Sequence, residues 1–262
     1  MSAKSVNGVS SIRKCLSVLD CFSEDAPQLS LTAVTKKTGF SMPTTLRVLA
    51  ALCEEGFLER DANRLYRVSW KAYRLGKLFQ AHDSIKNAVL PVMRRLRDVF
   101  GETVSLYYKH DIWRVCVEQA VSLHELKRIS HPGSYYPLWA GATAKIFLGF
   151  MTSDEIRRVY AEAPQDRKER WAQFLGEVAE ARQRGYAVSL AEREEGTSSI
   201  ACPLFDFTGK LAACLCISGP SFRFTDEIKA KAAPVIVREC RELSRSFGAP
   251  DSAFETRSKL RR

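Results

Sequence analysis

The segment that most constrains the fold is residues 30–68, SLTAVTKKTGFSMPTTLRVLAALCEEGFLERDANRLYRV. Ser30 is a helix-capping residue followed by apolar positions at helical spacing, and Gly39 supplies the conformational freedom of a tight turn. Ser41 then caps a second helix, which Gly56 ends, and two short strands follow. This order of elements predicts a winged helix-turn-helix, a module that places one helix in a DNA groove.

The second helix of this segment has two different sides. Its apolar residues recur at i, i+3, i+4 and i+7, which predicts a core-facing side composed of Leu46, Leu49, Ala50 and Cys53. The opposite side carries small or long side chains that allow a close approach to base edges, namely Thr44, Arg47, Val48 and Ala51. We therefore predict DNA contacts from this helix, from the end of the preceding one and from the hairpin tip: Lys37, Ser41, Met42, Thr44, Thr45, Arg47 and Arg64.

The charge of this region fits contact with phosphate groups. Residues 1–82 contain 12 Lys and Arg against 7 Asp and Glu, a net charge of +5, and the whole chain carries +10. The alternative is a module of the same shape that binds no nucleic acid, with Arg47 as an ordinary solvated residue. The basic excess favours DNA as the partner.

Length and hydropathy limit which fold classes are open to the rest of the chain. At 262 residues it is long enough for a second domain with its own core. No stretch of about eighteen apolar residues is present, and the N-terminal residues lack the apolar core of a signal peptide. We therefore expect a soluble, cytoplasmic protein without a membrane partner, and a polar tail at 249–262 that is mobile.

The eight cysteines and four histidines form no recognisable catalytic or metal-binding motif. The sequence contains no C-x-x-C, H-E-x-x-H, G-x-S-x-G, P-loop or G-x-G-x-x-G. Cys214 and Cys216 face the same way on a predicted strand, so a soft-metal pair is an alternative to two buried thiols. We predict no metal, no cofactor and no enzymatic activity, the alternative being an enzyme that also binds nucleic acid.

Periodicity divides the remaining chain into helices and short strands. Helices are predicted at 9–22, 69–83, 85–100, 141–151, 153–162, 166–184 and 225–247. Strands are predicted at 103–110, 113–120, 124–130, 187–190, 199–207 and 210–218. Strands grouped at both ends of a helical middle predict an antiparallel sheet covered by helices, an α+β domain.

Six motifs in this order resemble the IclR family of bacterial transcription regulators over residues 9–248. They are SIRKCLSVLDCF, LSLTAVTKKTGFSMPTTLRVLAALCEEGFLER, YRVSWKAYRLGKLF, PLWAGATAKIFLGF, RQRGYAVS and SIACPLFDFTGKLAACLCISGP. The resemblance implies a winged helix-turn-helix domain at 1–68, a linker helix at 69–83 and a GAF-like effector-binding domain at 84–248. It also implies binding to double-stranded operator DNA and to a small organic effector.

The resemblance places the effector pocket between a loop-to-helix turn and three strands. Its implied residues are Leu138, Trp139, Ala142, Thr143, Ser189, Ser199, Cys216 and Ser218. The family often has an acidic residue where this chain has Ser189, and a histidine where it has Trp139. A neutral, more aromatic pocket favours an organic or aromatic acid as effector, although Trp139 can equally be part of the core.

Small residues on one predicted strand support a cavity there. Cys214, Cys216 and Ser218 project to the same side because side chains alternate along a strand. The alternative is a filled core beneath bulky neighbours such as Trp139. We expect a homodimer or a dimer of dimers that controls a catabolic operon; a second domain that only oligomerises is the alternative function.

Overall fold

The computed structural model describes residues 4–23, 26–82 and 84–254. The chain divides into two compact units between residues 83 and 84, and each unit has its own hydrophobic core.

The first unit has the element order of a winged helix-turn-helix. Its described elements are α1 Lys4–Leu19, β1 Gln28–Leu29, α2 Leu31–Thr38, α3 Met42–Glu54, β2 Leu58–Arg60, β3 Tyr66–Val68 and α4 Trp70–His82. Strand β3 lies between β1 and β2 and pairs antiparallel with both. The helices pack around Val18, Val34 and Leu49, which are fully buried. Burial of these apolar side chains, rather than helix propensity, stabilises helices as short as α2.

The second unit is an antiparallel sheet covered by helices. Its described elements are α5 Ser84–Phe100, β4 Thr103–His110, β5 Trp113–Ala120, β6 Tyr135–Pro137, α6 Ala142–Leu148, α7 Ser153–Glu162, α8 Gln165–Glu169, α9 Trp171–Arg184, β7 Ala187–Leu190, β8 Thr197–Phe205, β9 Leu211–Pro220 and α10 Asp226–Ser246. The strand order is β6-β5-β4-β9-β8-β7.

Each face of this sheet belongs to a different core. Leu106 and Leu215 pack with α5 and α10, whereas their chain neighbours Tyr107 and Cys216 pack with α6 and α9. This is the consequence of side chains alternating between the two faces of a strand. The small and polar residues of β9 therefore lie on the face covered by α6.

Two of the predicted elements differ in the structure. Residues 124–130 form no strand, because β6 takes the free edge of β5 instead, and Leu126 is 62% exposed. The helix predicted at 166–184 is divided into α8 and α9 at Arg170, where the backbone leaves helical geometry.

The predicted mobile tail is wrong for its first residues. Residues 251–253 form a short 3-10 helix, and the ring of Phe254 lies 5.6 Å from that of Phe205. The backbone N–H of Ala249 also donates to the carbonyl of Ser244 at 2.9 Å. The first residues of the tail therefore pack against the sheet through Phe254. Residues 255–262 lie outside the described residues.

Candidate DNA interface and effector cavity

Helix α3 begins after a turn that requires glycine. Gly39 ends α2 with a φ of +71°, a left-handed conformation that costs other residues strain. Ser30 caps α2 by accepting a hydrogen bond from the N–H of Ala33 at 3.2 Å. Ser41 precedes α3 in an extended conformation, and its hydroxyl donates to Thr44 Oγ1 at 2.9 Å. The first turn of α3 is therefore fixed by local bonds and stays exposed.

The buried residues of α3 are shifted by about one position along the sequence from the predicted ones, so a different side of the helix is exposed. The buried residues are Thr45, Val48, Leu49 and Leu52, and Leu46 is 46% exposed. The predictions that Leu46 and Ala50 face the core and that Val48 faces DNA are wrong. Both sets of residues follow helical spacing and share Leu49, so periodicity alone does not choose between them.

Two of the predicted DNA contacts are engaged within the first unit. Thr45 is fully buried and its hydroxyl donates to the carbonyl of Ser41 at 3.1 Å, so its prediction as a DNA contact is wrong. The Lys37 ammonium donates to the carbonyl of Cys21 at 2.8 Å, just beyond the end of α1. There it stabilises the negative end of that helix.

The other predicted contacts have outward positions. Arg47 is exposed on α3, and Arg64 lies at the hairpin tip with a φ of +64°. Neither guanidinium pairs with another of the described residues. Ser41 and Met42 are exposed at the start of α3, and Thr44 is partly exposed. Their contacts with DNA stay predictions.

In the second unit, three predicted serines form a row across neighbouring strands. Ser189 on β7 pairs in register with Ser199 on β8, and Ser199 pairs with Ser218 on β9. Directly paired residues project to the same face of a sheet. Cys216 lies two residues from Ser218 and therefore shares this face.

The start of α6 completes this arrangement. Thr143 is buried, and its side chain and that of Ser199 lie close to the Cys216 thiol. The side chains line a cavity of about 40 Å³, with room for only one or two water molecules. It is lined by Ala142, Thr143, Ser189, Ser199, Cys216 and Ser218 together with Tyr107, Arg114, Arg128, Ser130, Gly141, Arg193, Thr197 and Ser198.

Two predicted pocket residues lie elsewhere. Leu138 is fully buried in the core between the sheet and α6. The indole of Trp139 packs edge-on against Trp113 at 5.4 Å and faces a separate open groove beside Lys145. Neither lines the cavity on which the other six predicted residues converge, because the turn before α6 directs consecutive side chains to different sides. The aromatic pocket, which rested on Trp139, stays a prediction.

Three arginines of the cavity lining were missed by sequence reasoning. Arg114 is buried on β5, whereas Arg128 and Arg193 come from irregular segments. Arg128 and Arg193 share the carboxylate of Glu194, at 2.9 and 3.1 Å respectively. The cavity is therefore positively charged rather than neutral. An arginine at an inward-facing position of a strand was the one available signal, because such positions are normally apolar.

The segment 191–196 between β7 and β8 borders the cavity, and Glu192 and Arg193 hold it by contacts with neighbouring elements. One oxygen of Glu192 accepts the N–H of Gly141 at 3.0 Å, and the other contacts the Lys145 ammonium at 2.6 Å. The Arg193 guanidinium lies over the Tyr136 ring, 4.4 Å from its centroid. These contacts hold the segment against the start of α6 and against β6.

Buried thiols beside the cavity are held in their neutral form. Burial raises the pKa of Cys116 to about 12, and it also raises the pKa of Cys216, against the opposing effect of hydrogen bonds to Thr143 and Ser199. Burial likewise raises the pKa of the Tyr107 hydroxyl, which donates to Ser130 at 2.9 Å. A neutral thiol is a poor nucleophile and a poor metal ligand. The predicted alternative of a soft-metal pair at Cys214 and Cys216 gains no support.

Larger hollows exist in the second unit but hold few of the predicted residues. One of about 320 Å³ lies between α10 and the β8–β9 turn, beside Phe205 and Phe254. Another of about 830 Å³ is the open groove beside Trp139. We regard the smaller cavity as the site because six of the eight predicted residues converge there.

Other site types find no candidates in the described part of the chain. No group of three or more His, Cys, Asp or Glu residues there is placed to hold a metal ion. Among the same residues, no helix has the length and hydropathy needed to span a bilayer.

Two family models match the chain. The IclR helix-turn-helix domain matches residues 11–62, and the model described as bacterial transcriptional regulator IclR C-terminal matches residues 79–245. The chain belongs to the IclR family. The IclR-type assignment confirms the predicted α+β fold, with an N-terminal helix-turn-helix domain and a C-terminal α+β domain, and it identifies a DNA-binding transcriptional regulator.

Known relatives cover nearly the whole chain. The HTH-type transcriptional regulator BhcR of Paracoccus denitrificans is 27% identical, covering 93% of this chain and 89% of its own. A putative IclR regulator from Silicibacter superposes with a TM-score of 0.78 at 24% identity, covering 92% of this chain and 97% of its own. An IclR homologue from Microbacterium hydrocarbonoxydans, solved with 4-hydroxybenzoate, has a TM-score of 0.77 at 16% identity, covering 91% and 98%.

Proposed function

We propose that this IclR-type regulator binds operator DNA as a homodimer or a dimer of dimers, and that a small organic effector modulates the binding. Residues 1–68 contact DNA, residues 69–83 link the two domains and residues 84–248 bind the effector. The regulated genes form a catabolic operon. The protein acts in the cytoplasm, where bacterial operators lie, and it binds its effector without turnover.

The observation that carries the effector proposal is the convergence of six predicted residues on one small cavity. Hydroxyl and thiol groups from β7, β8 and β9 meet the start of α6 there. A cavity with convergent polar groups is the usual form of a small-molecule site. The charge of its arginines favours an acid as the effector, and the 4-hydroxybenzoate complex of the Microbacterium homologue is in line with that class.

Exposed apolar side chains support the proposed assembly. Ile12 and Leu16, one helical turn apart on α1, are 61% and 55% exposed, and Trp70 on α4 is 76% exposed. Apolar surface of this kind usually marks a contact with another chain. A dimer also supplies the two reading helices that a two-fold symmetric operator requires.

The DNA-binding proposal is tested by selecting duplexes from a random pool and footprinting the enriched sequence. We expect protection of two half-sites about one helical turn, or a multiple of it, apart. Uniform retention of all sequences, or a single protected half-site, would contradict sequence-specific binding by a dimer.

The alternative function, a second domain that only oligomerises, is favoured by one observation. The cavity volume of about 40 Å³ is far below the roughly 300 Å³ of ordinary ligand pockets. The ligand-switch proposal therefore requires the 191–196 segment to move. Substituting Ser218 by Leu fills the cavity, so it should abolish any effector response and leave DNA binding unchanged. An unaltered response would place the effector site elsewhere.

A further inference from the structure

One cation of the cavity lining has no counter-charge. Arg114 is only 3% exposed, and its Nη1 donates to the carbonyls of Pro137 and Ala140 at 2.6 and 3.1 Å. Its Nε is buried and finds no acceptor among the described residues. No carboxylate of the described chain pairs with this guanidinium, so its charge is met only by neutral groups.

The other buried cations of the described residues differ in this respect. Lys145 contacts the carboxylates of Glu192 and Glu177, each at 2.6 Å, and Lys229 contacts Asp226 at 2.6 Å. Pairing is the normal condition of a buried charge, because an isolated one carries a large desolvation cost. Arg114 alone among them departs from this rule.

The surroundings of Arg114 fit an anion. The residues lining the cavity include three arginines and no Asp or Glu, and Arg128 and Arg193 already share Glu194. Hydroxyl groups of Ser130 and Ser199 supply further donors. Burial lowers the pKa of Arg114, the response expected of a guanidinium that lacks a nearby anion.

We infer that Arg114 binds the carboxylate of the effector in this cavity. The inference rests on the proposed ligand switch and defines the chemical class of its ligand as a small organic acid. Arginine suits this role because its planar donors match the two oxygens of a carboxylate. The neutral side chain of Ser189 adds no negative charge that would oppose such a ligand.

The cavity dimensions define how the acid is seated. A volume of about 40 Å³ admits a carboxylate group but not the body of an organic acid. The body therefore lies where Arg193 and the 191–196 segment now border the cavity. Binding therefore displaces the 191–196 segment and breaks the contacts that its Glu192 and Glu194 side chains make.

The test compares small carboxylates with their neutral amides on the full-length protein. The probes are acetate, benzoate and 4-hydroxybenzoate, each beside acetamide, benzamide and 4-hydroxybenzamide at the same ionic strength. We expect at least one carboxylate to raise the thermal unfolding temperature, with no shift from its amide. Equal shifts from an acid and its amide, which differ in charge but hardly in shape, would overturn the role of the carboxylate.

Substitutions then locate the contact. Arg114→Gln should weaken binding of the responding acid about ten- to a hundredfold by calorimetry, while Arg114→Lys should retain part of it. Arg157→Gln, on the exposed side of α7, is the charge-matched control and should bind as the wild type does.

The experiments distinguish a failure of the Arg114 inference from a failure of the ligand-switch proposal. Wild-type affinity in Arg114→Gln would overturn the inference and leave the ligand switch standing. No shift of the wild type by any acid or amide would overturn both. If Arg114→Gln does not fold, the acid-amide comparison on the wild type and the Arg114→Lys affinity decide the matter.

Discussion

Arg47 is the residue of α3 best placed to read DNA. It is exposed, lies one residue from the buried Val48, and makes no ion pair with any described residue. Arg47→Ala should weaken operator binding by about 1–3 kcal/mol, the usual worth of an arginine contact with a base edge, without changing the unfolding temperature.

The measurement for Arg47 is a mobility-shift titration at fixed salt. Arg157→Ala removes the same charge from the second unit and serves as the control. If both variants bind operator equally, net charge explains the affinity and Arg47 is not a direct contact.

Thr45 is expected to act on stability rather than on DNA. Its buried hydroxyl donates to the Ser41 carbonyl, which also accepts the Thr45 N–H at 2.9 Å. Thr45→Val keeps the shape and removes one hydrogen bond, so the free energy of unfolding should fall by about 0.5–1.5 kcal/mol. Operator affinity of the folded variant, measured by anisotropy, should not change; a loss of affinity would restore Thr45 as a contact.

At the residue scale, the sequence predicts which residues come together better than it predicts the direction in which each side chain points. Ser189, Ser199 and Ser218 meet in the structure as the resemblance implies, because strand register aligns them. Thr45 does not face DNA, because two overlapping apolar stripes on α3 fit helical periodicity equally well. Arg114 was missed because its importance comes from burial without a carboxylate, which only three-dimensional packing reveals.

At the scale of elements, the segment 191–196 depends on Glu192. Its carboxylate joins the Gly141 N–H to the buried Lys145, and its side chain is 23% exposed. Glu192→Gln should lower the free energy of unfolding of the second unit by about 1–3 kcal/mol, because it weakens a largely buried pair.

Chemical denaturation measures this effect, and Glu180→Gln is the control. Glu180 pairs with Arg184 on the exposed side of α9, where such a pair contributes about 0–1 kcal/mol. Equal losses in the two variants would mean that Glu192 does not hold the segment.

The sequence predicts best those strands whose pattern is bounded by turns at both ends. Strands β4, β5 and β7 occupy the predicted residues because each is bounded by turns. Residues 124–130 show a strand-like pattern but have no free edge to pair with, since β6 occupies it. Which segment pairs with the free edge of a strand depends on the tertiary structure, so local periodicity does not predict it.

At the scale of the whole molecule, α1 provides a test of assembly. Leu16→Glu places a charge on an exposed apolar face and should leave the fold unchanged. Light scattering should then show loss of the oligomer, together with weaker operator binding. The charge-matched control is Ser246→Glu, at the other end of the chain. Wild-type protein that is a monomer of about 30 kDa in solution, and that binds DNA as a monomer, would contradict the dimer proposal.

The alkaline stability of the second unit follows from its buried thiols. The pKa of Cys116 is raised from 9.0 to about 12, so its contribution to stability is complete below pH 9 and is lost as the pH rises toward 12. The free energy of unfolding should fall over this range, by at most about 1.4 kcal/mol per pH unit for each such thiol. Urea unfolding at pH 8, 9 and 10 measures it, and Cys116→Ala should give a smaller slope. A constant stability would contradict the burial of these groups.

The central claim is that DNA binding by the first unit is coupled to acid binding by the second. The most direct measurement is the Kd for the selected operator with and without the responding acid, beside the Kd for that acid with and without operator. We predict a change of about 5- to 150-fold in operator affinity, and the same factor for the acid, because coupling between two sites is reciprocal. The Arg114→Gln variant should bind operator normally and show no change with the acid. Operator affinity that is identical with and without a saturating acid would contradict the account.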